Sequence, residues 1–98
     1  MDLSGFQLVG GYQKVSPDTV PETVRQKIWE TLNQHHIRWH KITSDNVDAQ
    51  MQIVNGTNYM IKFTIDPSQS RYMIKLYQPL GQDSKVVVDE FVNLSKNT

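Results

Sequence analysis

The sequence predicts an α+β domain in which one α-helix packs across a four- to five-stranded antiparallel sheet. Three observations predict it. Val20, Val24, Ile28 and Leu32 recur every fourth residue, which places them on one face of a helix. From residue 37 onward the apolar period falls to two, the signature of half-buried strands. Asn55-Gly56, Asp66-Pro67 and Pro79-Leu80-Gly81 then interrupt the alternation as turns, so successive strands fold back as hairpins. A single helix followed by hairpins has only the sheet to bury its apolar face against.

Each element follows from its residues. Residues 1–11, with Gly5, Gly10 and Gly11 and no sustained period, predict a mobile N-terminal trunk ahead of a single domain over residues 12–98. Tyr12 to Val15 suits a short edge strand. Ser16-Pro17-Asp18-Thr19 predicts the helix start, with Pro21 and Glu22 in the first turn. The helix runs to about His35, and Trp29 widens its apolar stripe. Asp18 and Glu22 near its start and His35 and His36 near its end suit the helix dipole.

Ile37 and Trp39 then alternate with Arg38 and His40 as a strand, interrupted at Ser44-Asp45-Asn46 by a bulge or widened bend. A long strand pair follows around Asn55-Gly56, a dipeptide that supplies the φ > 0 residues of a tight turn. Beyond it Tyr59, Ile61, Phe63 and Ile65 share one face, with Met60, Lys62 and Thr64 on the other. Past the turn at residues 66–70, Tyr72, Ile74 and Leu76 alternate with Met73, Lys75 and Tyr77. After the turn at residues 79–83 a last strand begins at Val86 and ends near Phe91 or Val92.

Composition excludes several functions. Ninety-eight residues support one core. Ten basic and ten acidic residues cancel and are scattered, so no field draws the chain to nucleic acid or to an anionic membrane surface, and neither is an expected partner. With no cysteine there are no disulfides, thiol nucleophiles or thiolate metal sites, which fits a reducing compartment. The N-terminus lacks the charged and apolar regions of a signal peptide, and no apolar run reaches the ~18–20 residues of a membrane span. A cytoplasmic location is expected, or a secreted one if a leader has been removed. Asn55-Gly56-Thr57 and Asn93-Leu94-Ser95 are glycosylation sequons in the secretory pathway.

Catalytic constellations are not apparent. His35 and His36 are adjacent and diverge on a helix, and with His40 they find no acidic neighbour to complete a metal set. Serine, histidine and aspartate all occur, but without a nucleophile elbow or oxyanion loop. No enzyme activity, cofactor or metal is expected. Trp29 and Trp39 read as packing residues, since neither has the basic neighbours of a base-stacking platform.

Three short segments, in this order, carry a resemblance. Leu8-Val9-Gly10-Gly11 precedes the helix. Gln52-Ile53-Val54-Asn55-Gly56 has the pattern Gln-x-Val-x-Gly and continues as Thr57-Asn58-Tyr59-Met60-Ile61-Lys62. Pro79-Leu80 occupies a later turn. Together they resemble the cystatin family of inhibitors of papain-like cysteine proteases, over roughly residues 8–92. The trunk is similar to that of the secreted cystatins, while the run after the first loop and the cysteine-free body are similar to the stefins. Leu80 stands where many secreted members carry tryptophan, and Ser44-Asp45-Asn46 is not the Ser-Asn-Asp of members that inhibit legumain.

The resemblance implies a cystatin-like fold and a reversible, tight-binding inhibitor of cathepsin-type proteases. The implied protease-binding residues are Leu8, Val9 and Gly10 in the trunk, Gln52, Ile53, Val54, Asn55 and Gly56 in the first hairpin, and Pro79 and Leu80 in the second. Gly10 would let the trunk bend past the catalytic centre. A glycan on Asn55 would obstruct this role. A monomer is expected; the alternative is a non-inhibitory interaction module or a dimer that swaps the helix and flanking strands.

Overall fold

The computed structural model describes residues 11–37, 47–65, 70–81 and 85–95. Among the described residues five strands form one sheet in chain order, every neighbouring pair antiparallel: β1 (Gln13–Val15), β2 (Val47–Val54), β3 (Gly56–Ile65), β4 (Ser70–Gln78) and β5 (Val87–Asn93). The α-helix α1 (Glu22–Gln34) lies between β1 and β2 in sequence and packs on one face of the sheet. The expected α+β class, a helix packed against an antiparallel sheet, holds. The trunk residues 1–10, residues 38–41 of the expected strand, the bend at 44–46, and most of the expected turn at 66–70 and the end of that at 79–83 lie outside the described residues.

The core is the meeting of two periods. Val20, Val24, Ile28 and Leu32 are buried on the helix side, as the four-residue spacing requires. Opposite them stand Ala49 on β2, Tyr59, Ile61, Phe63 and Ile65 on β3, and Tyr72, Ile74 and Leu76 on β4. Every second residue is buried from Tyr59 to Ile65 on β3 and from Tyr72 to Leu76 on β4, so the central part of one sheet face is committed to the helix. Trp29 is half-buried against the same cluster. Thr31 is buried too, and its hydroxyl donates to the Lys27 carbonyl at 2.8 Å, which satisfies it within its own helix.

The helix starts later than the sequence predicts. Ser16 accepts from the Asp18 amide at 3.4 Å, but this caps a separate 3-10 turn over Pro17–Thr19. Val20 is extended, and α1 then begins at Glu22 with Pro21 as its N-cap residue. Proline offers no side-chain acceptor for the first-turn amides, so the capping role expected of Ser16-Pro17-Asp18-Thr19 belongs to the turn. At the other end the helix closes as a Schellman motif. His36 is left-handed (φ 57), its amide bonds to the Asn33 carbonyl at 3.1 Å, and the Ile37 amide bonds to the Leu32 carbonyl at 3.0 Å.

Two local features shape the far edge. Leu76 pairs with Val88 and Lys75 with Glu90, so Asp89 is an extra residue, a β-bulge. The bulge resets the alternation, and both Val88 and Phe91 face the core side. There Phe63, Tyr72 and Phe91 stack in sequence at centroid separations of 6.0 and 5.4 Å, and His35 tilts against Phe91 at 4.8 Å.

Candidate functional site

The site is built by strand register. In an antiparallel meander, the β2–β3 and β4–β5 turns fall at the same end of the sheet. Ile53 pairs with Thr57 and Thr57 with Gln78, so the apex of the first hairpin stands beside the residues that lead into Pro79 and Leu80. Gln13 pairs with Met51, which brings the chain into β1 from this same end. Two of the three segments singled out in the sequence thus converge here. Leu8, Val9 and Gly10 lie outside the described residues.

The tips are apolar and exposed. Ile53 is 72% and Leu80 70% exposed, and Val54 and Val87 are also exposed. Ile53 and Val54 fall beyond the part of β2 that the helix covers. Fully burying such a side chain is worth ~1.5–3 kcal/mol, and for Ile53 and Leu80 most of that is not recovered in the free chain. Residues 52–61 and 76–81 include no charged side chain. The two tips therefore form a thin apolar crest without charge of its own, and the exposed Lys85 follows further along the β4–β5 connection.

Beneath the crest is a polar brace. On the sheet face away from α1, Gln52, Asn58, Tyr77 and Val87 form one row across four strands. Asn58 Nδ2 donates to Gln52 Oε1 at 2.9 Å, which fixes the orientation of the Gln52 amide. The Tyr77 hydroxyl reaches past β3 and donates to the Asn55 carbonyl at the hairpin apex. On the opposite face Gln78 Nε2 donates to Thr23 Oγ1, in the first turn of α1.

The apex differs from the expected turn. Gly56 alone takes a positive φ (115°); Asn55 does not, so the pair does not divide the strain as a two-residue turn with both φ positive would. Gly56 is also buried. A Cβ there would lie 2.6 Å from Tyr77 Oη, 2.8 Å from Tyr77 Cε1 and 2.8 Å from the Gln78 carbonyl. Glycine is required at 56 twice over, by backbone conformation and by the Tyr77 ring laid against it.

Comparison with protein-family models, with curated proteins and with solved structures gives no match.

Of the site residues expected from the sequence, Gln52, Ile53, Val54, Asn55, Gly56, Pro79 and Leu80 lie at one end of the sheet. Tyr77, Asn58 and Val87, which stand beside them, were not among those expected, because only cross-strand register places them there. A cavity of about 510 Å³ lies elsewhere, between α1 and β5, where Lys27, Thr31, His35, Val86 and Phe91 are among its lining residues. Among the described residues no three His, Asp or Glu side chains stand together as a metal set, and no helix is long and apolar enough to cross a membrane.

Proposed function

We propose that this chain is a cystatin-like, reversible, tight-binding inhibitor of papain-like cysteine proteases of the cathepsin type. The observation that carries the reading is the convergence of the residue 52–56 hairpin with Pro79 and Leu80 on one exposed apolar crest. A papain-like cleft is a narrow groove with apolar subsites, and only a thin convex edge enters it. Ile53, Val54 and Leu80 supply apolar contact to its walls, and Gly56 keeps the apex narrow. Leu8, Val9 and Gly10, in the trunk that precedes β1, would extend the wedge on the non-primed side.

The apex is also a poor substrate in this reading. Attack by a cysteine thiolate needs a peptide carbonyl presented in an extended segment to an oxyanion-stabilising site. The Asn55 carbonyl instead accepts from Tyr77, within a turn closed by hydrogen-bonded strands. Occlusion without cleavage follows, and the chain acts as an inhibitor rather than an enzyme. With no charge on the crest, association draws little on electrostatic steering and depends weakly on salt.

Titration of papain and of cathepsin L with the purified chain tests the reading. Competitive inhibition at or below nanomolar concentrations, with the chain recovered intact, is expected. An absence of inhibition at micromolar concentrations overturns it. Gel filtration distinguishes the rival interaction module, for which a stable dimer without inhibition is the expected result.

A further inference from the structure

We infer that Tyr77 is a positioning residue that holds the hairpin apex in its working shape before any partner arrives. The inference deepens the inhibitory reading, and its consequence for affinity rests on that reading. Tyr77 is on β4, separated from the β2–β3 apex by the width of β3. Its hydroxyl nevertheless donates to the Asn55 carbonyl, and its ring occupies the space that any side chain at position 56 would need. One phenol thereby ties the first hairpin to the strand that delivers Pro79 and Leu80 two and three residues later.

The reason such a tie matters is entropic. A hairpin apex beyond the covered part of the sheet has few packing contacts of its own, and ordering it on binding would subtract from affinity. The Asn58–Gln52 bond holds the strands below the apex, but it does not reach residues 54–56. Tyr77 reaches them. Its hydroxyl bonds the Asn55 carbonyl, and its ring lies against Gly56.

Tyr77→Phe removes the hydroxyl and keeps the ring, and the variant is measured in two ways. In the free protein, NMR order parameters of residues 54–57 are expected to fall from about 0.85 toward about 0.6, with the rest of β2 and β3 unchanged. Against papain, the inhibition constant is expected to rise about three- to tenfold, the equivalent of one hydrogen bond's net contribution. Ile28→Val, a core change that lowers stability far from the apex, serves as the control and should leave inhibition unchanged. If the wild type inhibits and Tyr77→Phe inhibits equally well, the positioning role is overturned. A loss shared equally by Ile28→Val overturns it too, because general stability would then explain the effect. If the wild type does not inhibit at all, the inhibitory reading fails. The order parameters then decide the tie alone, and unchanged values at residues 54–57 overturn it.

Discussion

Gln78 Nε2 donates to Thr23 Oγ1 at 3.1 Å, joining the last residue of β4 to the first turn of α1 across 55 positions of sequence. Gln78 and Tyr77 are neighbours on opposite faces of β4, so this strand end is held on one side by the helix and on the other by the hairpin apex. Thr23 is exposed, and its hydroxyl bond lies at the surface. Thr23→Val keeps the side-chain volume and removes the acceptor. It should cost about 0.5–1 kcal/mol in urea unfolding with an unchanged m-value. No measurable change would mean that water replaces the contact without loss.

Positions 55 and 56 should respond in opposite ways. Gly56→Ala introduces a Cβ 2.6 Å from Tyr77 Oη at a φ of 115°, and it should destabilise the chain by about 2–4 kcal/mol. Asn55→Ala changes an exposed residue without a positive φ, and its effect should stay within about 0.5 kcal/mol. Thermal denaturation of the two variants checks this. A costly Asn55→Ala beside a tolerated Gly56→Ala would contradict the apex geometry.

The exposed crest should separate binding from stability. Ile53→Ser and Leu80→Ser alter side chains that make little use of the core, so melting temperatures should move by no more than about 2 °C. Inhibition of papain should weaken at least about tenfold for Ile53→Ser, since a buried apolar anchor is lost from the complex. Equal inhibition by all three chains would remove the crest from the interface.

Tyr59 sets an alkaline limit on stability. Burial pushes its phenol above the ordinary tyrosine value, because the charged form is poorly solvated in the core. The folded protein therefore keeps this proton more tightly than the unfolded chain. Its contribution is complete below about pH 10, where both states are protonated. Stability then falls as the unfolded phenol ionises first, and the fall continues until the folded phenol ionises. Melting temperatures from pH 8 to 11 should show this decline, and Tyr59→Phe should flatten it. An identical slope in the variant would assign the decline to another group.

Much of this molecule is legible in its sequence, and the reasons are local. β3 buries every second residue from Tyr59 to Ile65 and β4 from Tyr72 to Leu76, so these runs announce both the strands and the faces. Val20, Val24, Ile28 and Leu32 do the same for the helix. The start of the helix was hidden because Ser16 is a good cap in any context, and here it caps a shorter turn. Thr31 was hidden because a threonine in a helix buries easily once its hydroxyl finds the carbonyl four residues back. At the candidate site, the residues of the two turns were visible as motifs. Tyr77 was visible only as one member of an alternation, since nothing along the chain says which residue will cross over a neighbouring strand.

The extra residue at Asp89 gives β5 an unusual relation to insertions and deletions. Most length changes in a small domain are absorbed by turns. Here the loss of Asp89 would leave Val88, Glu90 and Phe91 in unbroken alternation against Leu76, Lys75 and Ile74. Glu90 and Val92 would stay outward, and Phe91 would keep its stack with Tyr72 and His35. Substitutions at Asp89 alter one exposed side chain, and its deletion removes a kink without turning any residue over. The same loss inside β4, which pairs with β3 without a spare residue, would turn part of that strand over, so the edge tolerates a change of length that its neighbour does not.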